Sequence, residues 1–389
     1  MSQYCIISEF NPLHNGHAYL ISKSREMGAE SVTCVMSGNA TQRGELAIVD
    51  KYLRAEAAVR CGADLVLELP YPWCMSSAEY FATAAISIAS HFCDTLLFGS
   101  ECADIELLKG AAAACETMDF KTEFEQRGTA GEGAAAAYIS CLEHRGFCGF
   151  SSNDLLGIAY IRAINRLGAD MQSVTARRLG AAYNSDTAEG EGFQSATALR
   201  NCIRTRLSDA KEYMPEIMWR IIQMEADNGG LTDIACLDSL ILGYFRLANG
   251  DQLESIAECS GGIANRICDT ARRSTSATEM LEALRTKRYT DARLRRAALF
   301  CMTGVEQKHI SALPEYTTLL AANGRGRALL AKKRKLRGIT VVTKPADAPK
   351  DSFQYLLSDK LDSIYTLART QKLTADAFLK KGTYIDHTM

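Results

Sequence analysis

Two histidines flanking a glycine at helical spacing are the clearest chemical signal in the chain. They lie in Glu9-Phe10-Asn11-Pro12-Leu13-His14-Asn15-Gly16-His17, whose core is H-x-G-H. Residues three apart on a helix share a face, and a glycine lets the backbone come close to a ligand. The start of a helix presents unpaired N–H groups and partial positive charge, a setting that suits a polyphosphate. Two imidazoles there could donate to phosphate oxygens as charge builds during group transfer. Pro12 stiffens the entry to the turn. The plainer reading is a glycine turn with incidental histidines, but it would place two of only six histidines at this spacing by chance.

Charge is the second signal. The formal net charge of −2 is a cancellation, because residues 1–200 carry 15 Lys/Arg against 24 Asp/Glu and residues 201–389 carry 29 against 22. Within 281–337 fourteen bases face four acids. The clusters are Arg285, Lys287 and Arg288, then Arg293, Arg295 and Arg296, then Arg325 and Arg327, then Lys332, Lys333, Arg334 and Lys335 with Arg337; Lys287, Arg288, Arg293, Arg296 and Lys332 to Lys335 are the candidate RNA contacts. Such a region can neutralise nucleic-acid phosphates, and an aromatic neighbour such as Tyr289 can stack on an unpaired base. For any single one of these residues a solvated surface is the simpler account; the excess over the whole region favours RNA.

The elements that must position these groups follow from periodicity. Gln3 to Ser8, Ser31 to Met36, Asp64 to Leu69 and Asp94 to Phe98 are short apolar runs between polar or glycine breaks, and predict buried strands. Gly16 to Met27, Asp50 to Cys61 and Ser77 to Phe92 predict helices between them. This alternation predicts an α/β domain with a Rossmann-like parallel sheet, whose ligand sites lie just beyond the strands' carboxyl ends. H-x-G-H follows the first strand directly. After about residue 206 helical spacing dominates, interrupted by the β-like piece Gly338 to Thr343. The expected organisation is a catalytic domain over 1–205 and a mostly helical, basic domain over 206–389.

Several classes are disfavoured. The fourteen cysteines contain no C-x-x-C pair and are scattered from Cys5 to Cys301, which argues against a disulfide scaffold or a zinc site. No basic-then-apolar leader opens the chain, and no run of about 18 uncharged apolar residues occurs. A reduced, cytoplasmic protein with no stable protein partner is expected.

The H-x-G-H stretch resembles the HxGH nucleotidyltransferase superfamily, which binds ATP on a Rossmann-like sheet and uses both histidines at the α-phosphate. That group has a second motif near the end of its nucleotide domain, and Ser195-Ala196-Thr197-Ala198-Leu199-Arg200 is similar to it, with Ala196 in place of a hydroxyl residue. Read without the resemblance, Ser195 is a helix N-cap. The blocks EFNPLHNGH, MSGNATQRGELAI (36–48), GADLVLELP (62–70), SAEYFA (77–82), FGSE (98–101) and RRLGAAYN (177–184) together resemble the bacterial tRNA(Met) cytidine acetate ligase family, as does Thr286 to Thr290 with Arg293 and Arg296.

The resemblance implies activation of acetate by ATP and acetylation of the wobble cytidine of elongator tRNA(Met). It implies catalytic roles for His14 and His17. It implies ATP contacts along Ile7, Ser8, Glu9, Phe10, Asn11, Pro12, Leu13, His14, Asn15, Gly16, His17, Ala18, Tyr19 and Leu20, and at Gly99, Asn153, Arg178, Ser195, Thr197 and Arg200. Ser37, Asn39, Gln42 and Arg43 follow the second strand, where they could frame a small carboxylate; a polar loop holding itself is the alternative. Glu68 and Glu79 are buried acids near the site or ordinary paired charges. Mg²⁺ is expected to accompany ATP, with no dedicated protein metal site. Two other readings share part of the pattern: an adenylyltransferase making a small cofactor, and an RNA-binding protein whose nucleotide fold does not catalyse.

Overall fold

The computed structural model describes residues 2–178, 194–286, 289–333 and 338–387. Eight strands form the sheet: β1 (Gln3–Ser8), β2 (Ser31–Ser37), β3 (Leu65–Leu69), β4 (Thr95–Ser100), β5 (Gln172–Arg177), β6 (Tyr316–Ala322), β7 (Thr340–Val342) and β8 (Tyr384–Ile385). Their order is β5-β4-β1-β2-β3-β6-β7, with β8 also paired to β6. Strands β1 to β5 are mutually parallel, and β6 joins β3 antiparallel.

Alternate residues of each central strand feed two apolar layers. Cys5, Val35, Leu65, Leu67, Leu96 and Phe98 belong to one core, and Tyr4, Ile6, Cys34, Met36, Val66 and Leu97 to the other. That is the period-two pattern of a sheet covered on both faces, and it explains why these strands read as continuous apolar runs. The chain leaves β1 for β2 and β3 on one side, then returns to β4 on the other side of β1. A topological switch point therefore lies between β1 and β4, where sheets of this kind open a crevice for ligands.

Three helices follow the early strands: α1 (Asn15–Glu26), α2 (Lys51–Arg60) and α3 (Ala78–Ala89). The second half is mostly helical, as its spacing predicts, and the helix Ala196–Thr205 ends beside the expected division at residue 205 without marking a domain boundary. The sheet continues across that division, because β6, β7 and β8 come from the second half. Strand β6 has no polar alternation to reveal it; all seven of its residues are buried. Among the described residues no helix is long and apolar enough to cross a membrane.

Candidate active site

The crevice at the switch point is a cavity of about 210 Å³. His14, Gly16 and His17 line it from the start of α1, Gly99 from the end of β4, Asn153 from the next helix (Ser152–Leu167), Arg178 from just beyond β5, and Ser195, Thr197 and Arg200 from the helix Ala196–Thr205. Residues nearly two hundred positions apart thus meet where the topology predicts. The lining also includes the apolar or aromatic Ile6, Phe81, Phe98, Leu156 and Tyr160. Hydrogen-bonding and cationic groups together with ring-sized apolar surface suit a nucleotide.

The two histidines cap their own helix. His14 is the N-cap and its Nδ1 accepts the Gly16 N–H at 3.1 Å, while His17 Nδ1 accepts the His14 N–H at 3.2 Å. This reciprocal arrangement is a capping box built from imidazoles in place of hydroxyl and carboxylate. The rings stack at 3.8 Å between centroids with 26° between planes, and Phe10 meets His17 edge-on. Burial, then the nearby Arg178 and Arg200 guanidinium groups, push the His14 pKa down to about 3. Burial, His14 and Arg178 push His17 well below its usual value. Both rings are therefore neutral near pH 7. Since each Nδ1 accepts a backbone N–H, each proton sits on Nε2. The cavity receives two fixed, neutral N–H donors that need no protonation to act.

Around them the arginines are held in place. Arg200 is buried; it donates to the Asn11 carbonyl at 2.9 Å, to Glu45 at 2.7 Å and to Thr197 Oγ1 at 3.3 Å. Arg43 also donates to Thr197 Oγ1, at 3.2 Å. Arg178 pairs with Glu101 at 3.2 Å, and Glu101 also accepts from Asn153 and Ser151. Ser195 spends its hydroxyl on the Ala198 N–H as an N-cap. Burial raises the Glu9 carboxyl above its usual range, although the Gln42 N–H, Arg200 and Arg43 oppose this.

Of the loop Ile7 to Leu20, Ile7, Ser8, Glu9, Asn11, His14, Gly16, His17, Tyr19 and Leu20 line the cavity. Phe10, Pro12 and Leu13 are buried but absent from the lining. Asn15 donates to the Glu212 carbonyl, and Ala18 is also off the cavity. The small-carboxylate set divides. Arg43 and Gln42 line the cavity, whereas Ser37 and Asn39 do not. Asn39 is buried because its amide serves another cluster: it donates to Asp362 and accepts from the Lys51 N–H. Glu68 belongs to that cluster, paired with Lys51 at 2.8 Å, and Glu79 pairs with Arg166 at the surface.

The basic region is also divided. Lys332 is exposed and Lys333 half-buried. Lys287, Arg288, Arg334 and Lys335 lie outside the described residues. Arg293 and Arg296 are not free cations on a face; both pair with Glu258, and Arg296, 9% exposed, also donates to the Gln42 carbonyl.

Residue typing overlooked three supports. Arg54, wholly buried on α2, donates to the carbonyls of Val49, Glu9, Ser37 and Gly38, tying the ends of β1 and β2 together. Asp154 accepts from Ser100 Oγ and from the N–H groups of Glu101 and Cys102, fixing the exit of β4. The spacing Ser151-x-x-Asp154, a capping box in the structure, could have revealed it. Glu45 bridges Arg200 and Arg295, and no local pattern announces it.

Residues 1–378 match the family described as HIGH Nucleotidyl Transferase. A relative from Caldicellulosiruptor bescii named tRNA(Met) cytidine acetate ligase is 37% identical over 347 residues, 86% of each chain. This chain belongs to that family. A ligand-free crystal structure of Thermotoga maritima TmcAL matches over 100% of both chains with a TM-score of 0.91 and 29% identity. A second crystal form of the Thermotoga protein, bound with alpha-thio ATP, matches over the same extent with a TM-score of 0.89. Family membership makes the chain a ligase and agrees with the sequence resemblance.

Proposed function

We propose that this enzyme joins acetate to ATP as acetyl-adenylate, releasing pyrophosphate, and then acetylates N4 of the wobble cytidine of elongator tRNA(Met), in the cytoplasm. The observation that carries the reading is the pair of stacked, neutral imidazoles at the β1/β4 crevice. An acetate oxygen attacks the α-phosphorus while the bond to the β-phosphate breaks. His14 and His17 donate their Nε2–H groups to the α- and β-phosphate oxygens, where charge develops. Arg178, Thr197 and Arg200 flank the nucleotide and its leaving group, and Gly99 and Asn153 border the nucleoside end. Arg43, which lines the cavity with Gln42, would hold the acetate carboxylate through paired hydrogen bonds. The cytidine amine then attacks the acetyl carbonyl, AMP leaves, and the nitrogen loses a proton; no protein nucleophile is required.

Among the described residues no three His, Cys, Asp or Glu converge as a metal site. Mg²⁺ would accompany ATP on its phosphates. Lys332 and Lys333, together with Lys287, Arg288, Arg334 and Lys335 of the same basic sequence clusters, supply charge for RNA, whereas Arg293 and Arg296 are paired with Glu258.

Acetate-dependent exchange of labelled pyrophosphate into ATP tests the first step. Exchange with acetate supports the ligase, exchange only with another acceptor supports a cofactor adenylyltransferase, and none at all refutes catalysis. Mapping acetylcytidine in tRNA after a full reaction tests the second.

A further inference from the structure

Glu45 and Arg295 stand outside the cavity, yet both are tied to it. The loop from Ala40 to Leu46 closes on itself through a β-bridge between those two residues and through Thr41 N–H to Glu45 carbonyl and Gly44 N–H to Thr41 carbonyl bonds of 2.9 Å. Its tip is pressed onto the helix Asp291–Thr303 of the basic half. A Cβ on Gly44 would lie 2.6 Å from Arg295 Cβ and 2.7 Å from the Arg296 backbone nitrogen, and Gly44 has φ +73°. Only glycine permits that approach in that conformation.

From this seat the Glu45 carboxylate faces both ways. One oxygen accepts from Arg295 at 2.7 Å and the other from Arg200 at 2.7 Å. Arg200 in turn donates to the Asn11 carbonyl, three residues before His14. A parallel tie runs from Arg296 to the Gln42 carbonyl, and from the Gln42 N–H to Glu9 at 2.7 Å. A single carboxylate shared by two guanidinium groups fixes both planes, because each contact is charge-assisted and directional.

We propose that Glu45 and Arg295 are positioning residues of the phosphate site, through which the helix Asp291–Thr303 sets the Arg200 guanidinium and the H-x-G-H loop. The inference rests on reading the cavity as the ATP site. It makes the basic half a structural part of the ATP site as well as a platform for RNA.

The test compares full-length wild type with E45Q, R295A, R295K and the E45Q/R295A pair. ATP affinity is read by calorimetry, and ATP and acetate KM values by exchange. E45Q and R295A should each raise the ATP Kd and KM by about fivefold, with acetate KM within about twofold of wild type. Loosened folding alone would lower the active fraction, and so kcat, without that split. The double variant should again show about fivefold, since both changes break one bridge, and R295K should stay within about twofold of wild type. ATP constants within twofold of wild type in both singles, or a loss of about twenty-five-fold in the double, would overturn the proposal. A wild type that binds ATP but exchanges nothing with acetate would remove the acetate reading alone, leaving the bridge to be judged by ATP Kd.

Discussion

The charge state of His14 gives the sharpest test of the site. A fall in pKa from the ordinary 6.5 to about 3 corresponds, at about 1.4 kcal/mol per unit, to roughly 5 kcal/mol disfavouring the protonated ring in the folded chain. Burial is the first cause, and the Arg178 and Arg200 charges add to it. The sign follows from linkage. The folded pKa lies below the unfolded one, so His14 leaves stability unchanged above pH 6.5. As pH falls below 6.5 the unfolded chain takes up a proton that the folded chain refuses, and stability declines until pH approaches 3. The assay is ¹⁵N NMR of histidine-labelled protein between pH 8 and 5, compared with H14N for assignment. His14 should show the Nε2–H tautomer throughout, with no midpoint in that range, and the exchange rate should show no acid limb from this ring. A midpoint near 6.5, or a proton on Nδ1, would refute the capping-box assignment and with it the picture of neutral donors.

H17A should lower acetate-dependent exchange by about a hundredfold or more, as loss of one preorganised donor does; exchange kinetics at saturating ATP check this. R54M leaves the carbonyls of Val49, Glu9, Ser37 and Gly38 without their buried donor. It should cost about 3 kcal/mol or more, read as a lowered urea midpoint. G99A places a Cβ 3.0 Å from Arg178 Cγ, so ATP KM should rise severalfold while melting temperature holds. Binding of tRNA should weaken steeply with added salt, and K332E/K333E should flatten the log–log slope by about one for each phosphate no longer neutralised, measured by filter binding.

The sheet was legible because its central strands are buried on both faces, and H-x-G-H was legible because its chemistry and its helix start coincide in sequence. Strand β6 was missed although Asn323-Gly324 marks its end: YTTLLAA lacks alternation, lies in a helical half, and has its partner β3 some 250 residues away. Arg54 escaped because most of the carbonyls it serves are brought near only by folding, and Asp154 because its capping-box spacing does not announce its contacts with Ser100, Glu101 and Cys102. Asn39 follows β2, where a substrate contact is expected, yet it lies off the cavity with its amide bonded to Lys51 and Asp362.

The uneven charge takes on a different meaning once these contacts are drawn. The sequence divides into an acidic part and a basic part, which suggests a catalytic module beside an RNA module. In the folded chain the two signs also meet across the joint: Glu45 with Arg295, Asp50 with Lys381, and Lys51 with Asp362. Arg293 and Arg296 are occupied by Glu258 within the basic half itself. Cations spent in this way cannot each release counterions from RNA, so a salt slope counted from all fourteen bases of 281–337 would be too steep. The same pairs tie residues of the two halves of the sequence to each other without RNA. Lys51 and Asp50 are both buried at the start of α2, so breaking those ties leaves Lys51 with Glu68 alone and Asp50 with the Tyr52 and Leu53 N–H groups alone, in the core rather than on the surface. Glu45–Arg295 and Asp50–Lys381 thus join the halves along the imbalance that makes them look separate, while Lys51–Asp362 joins them against it.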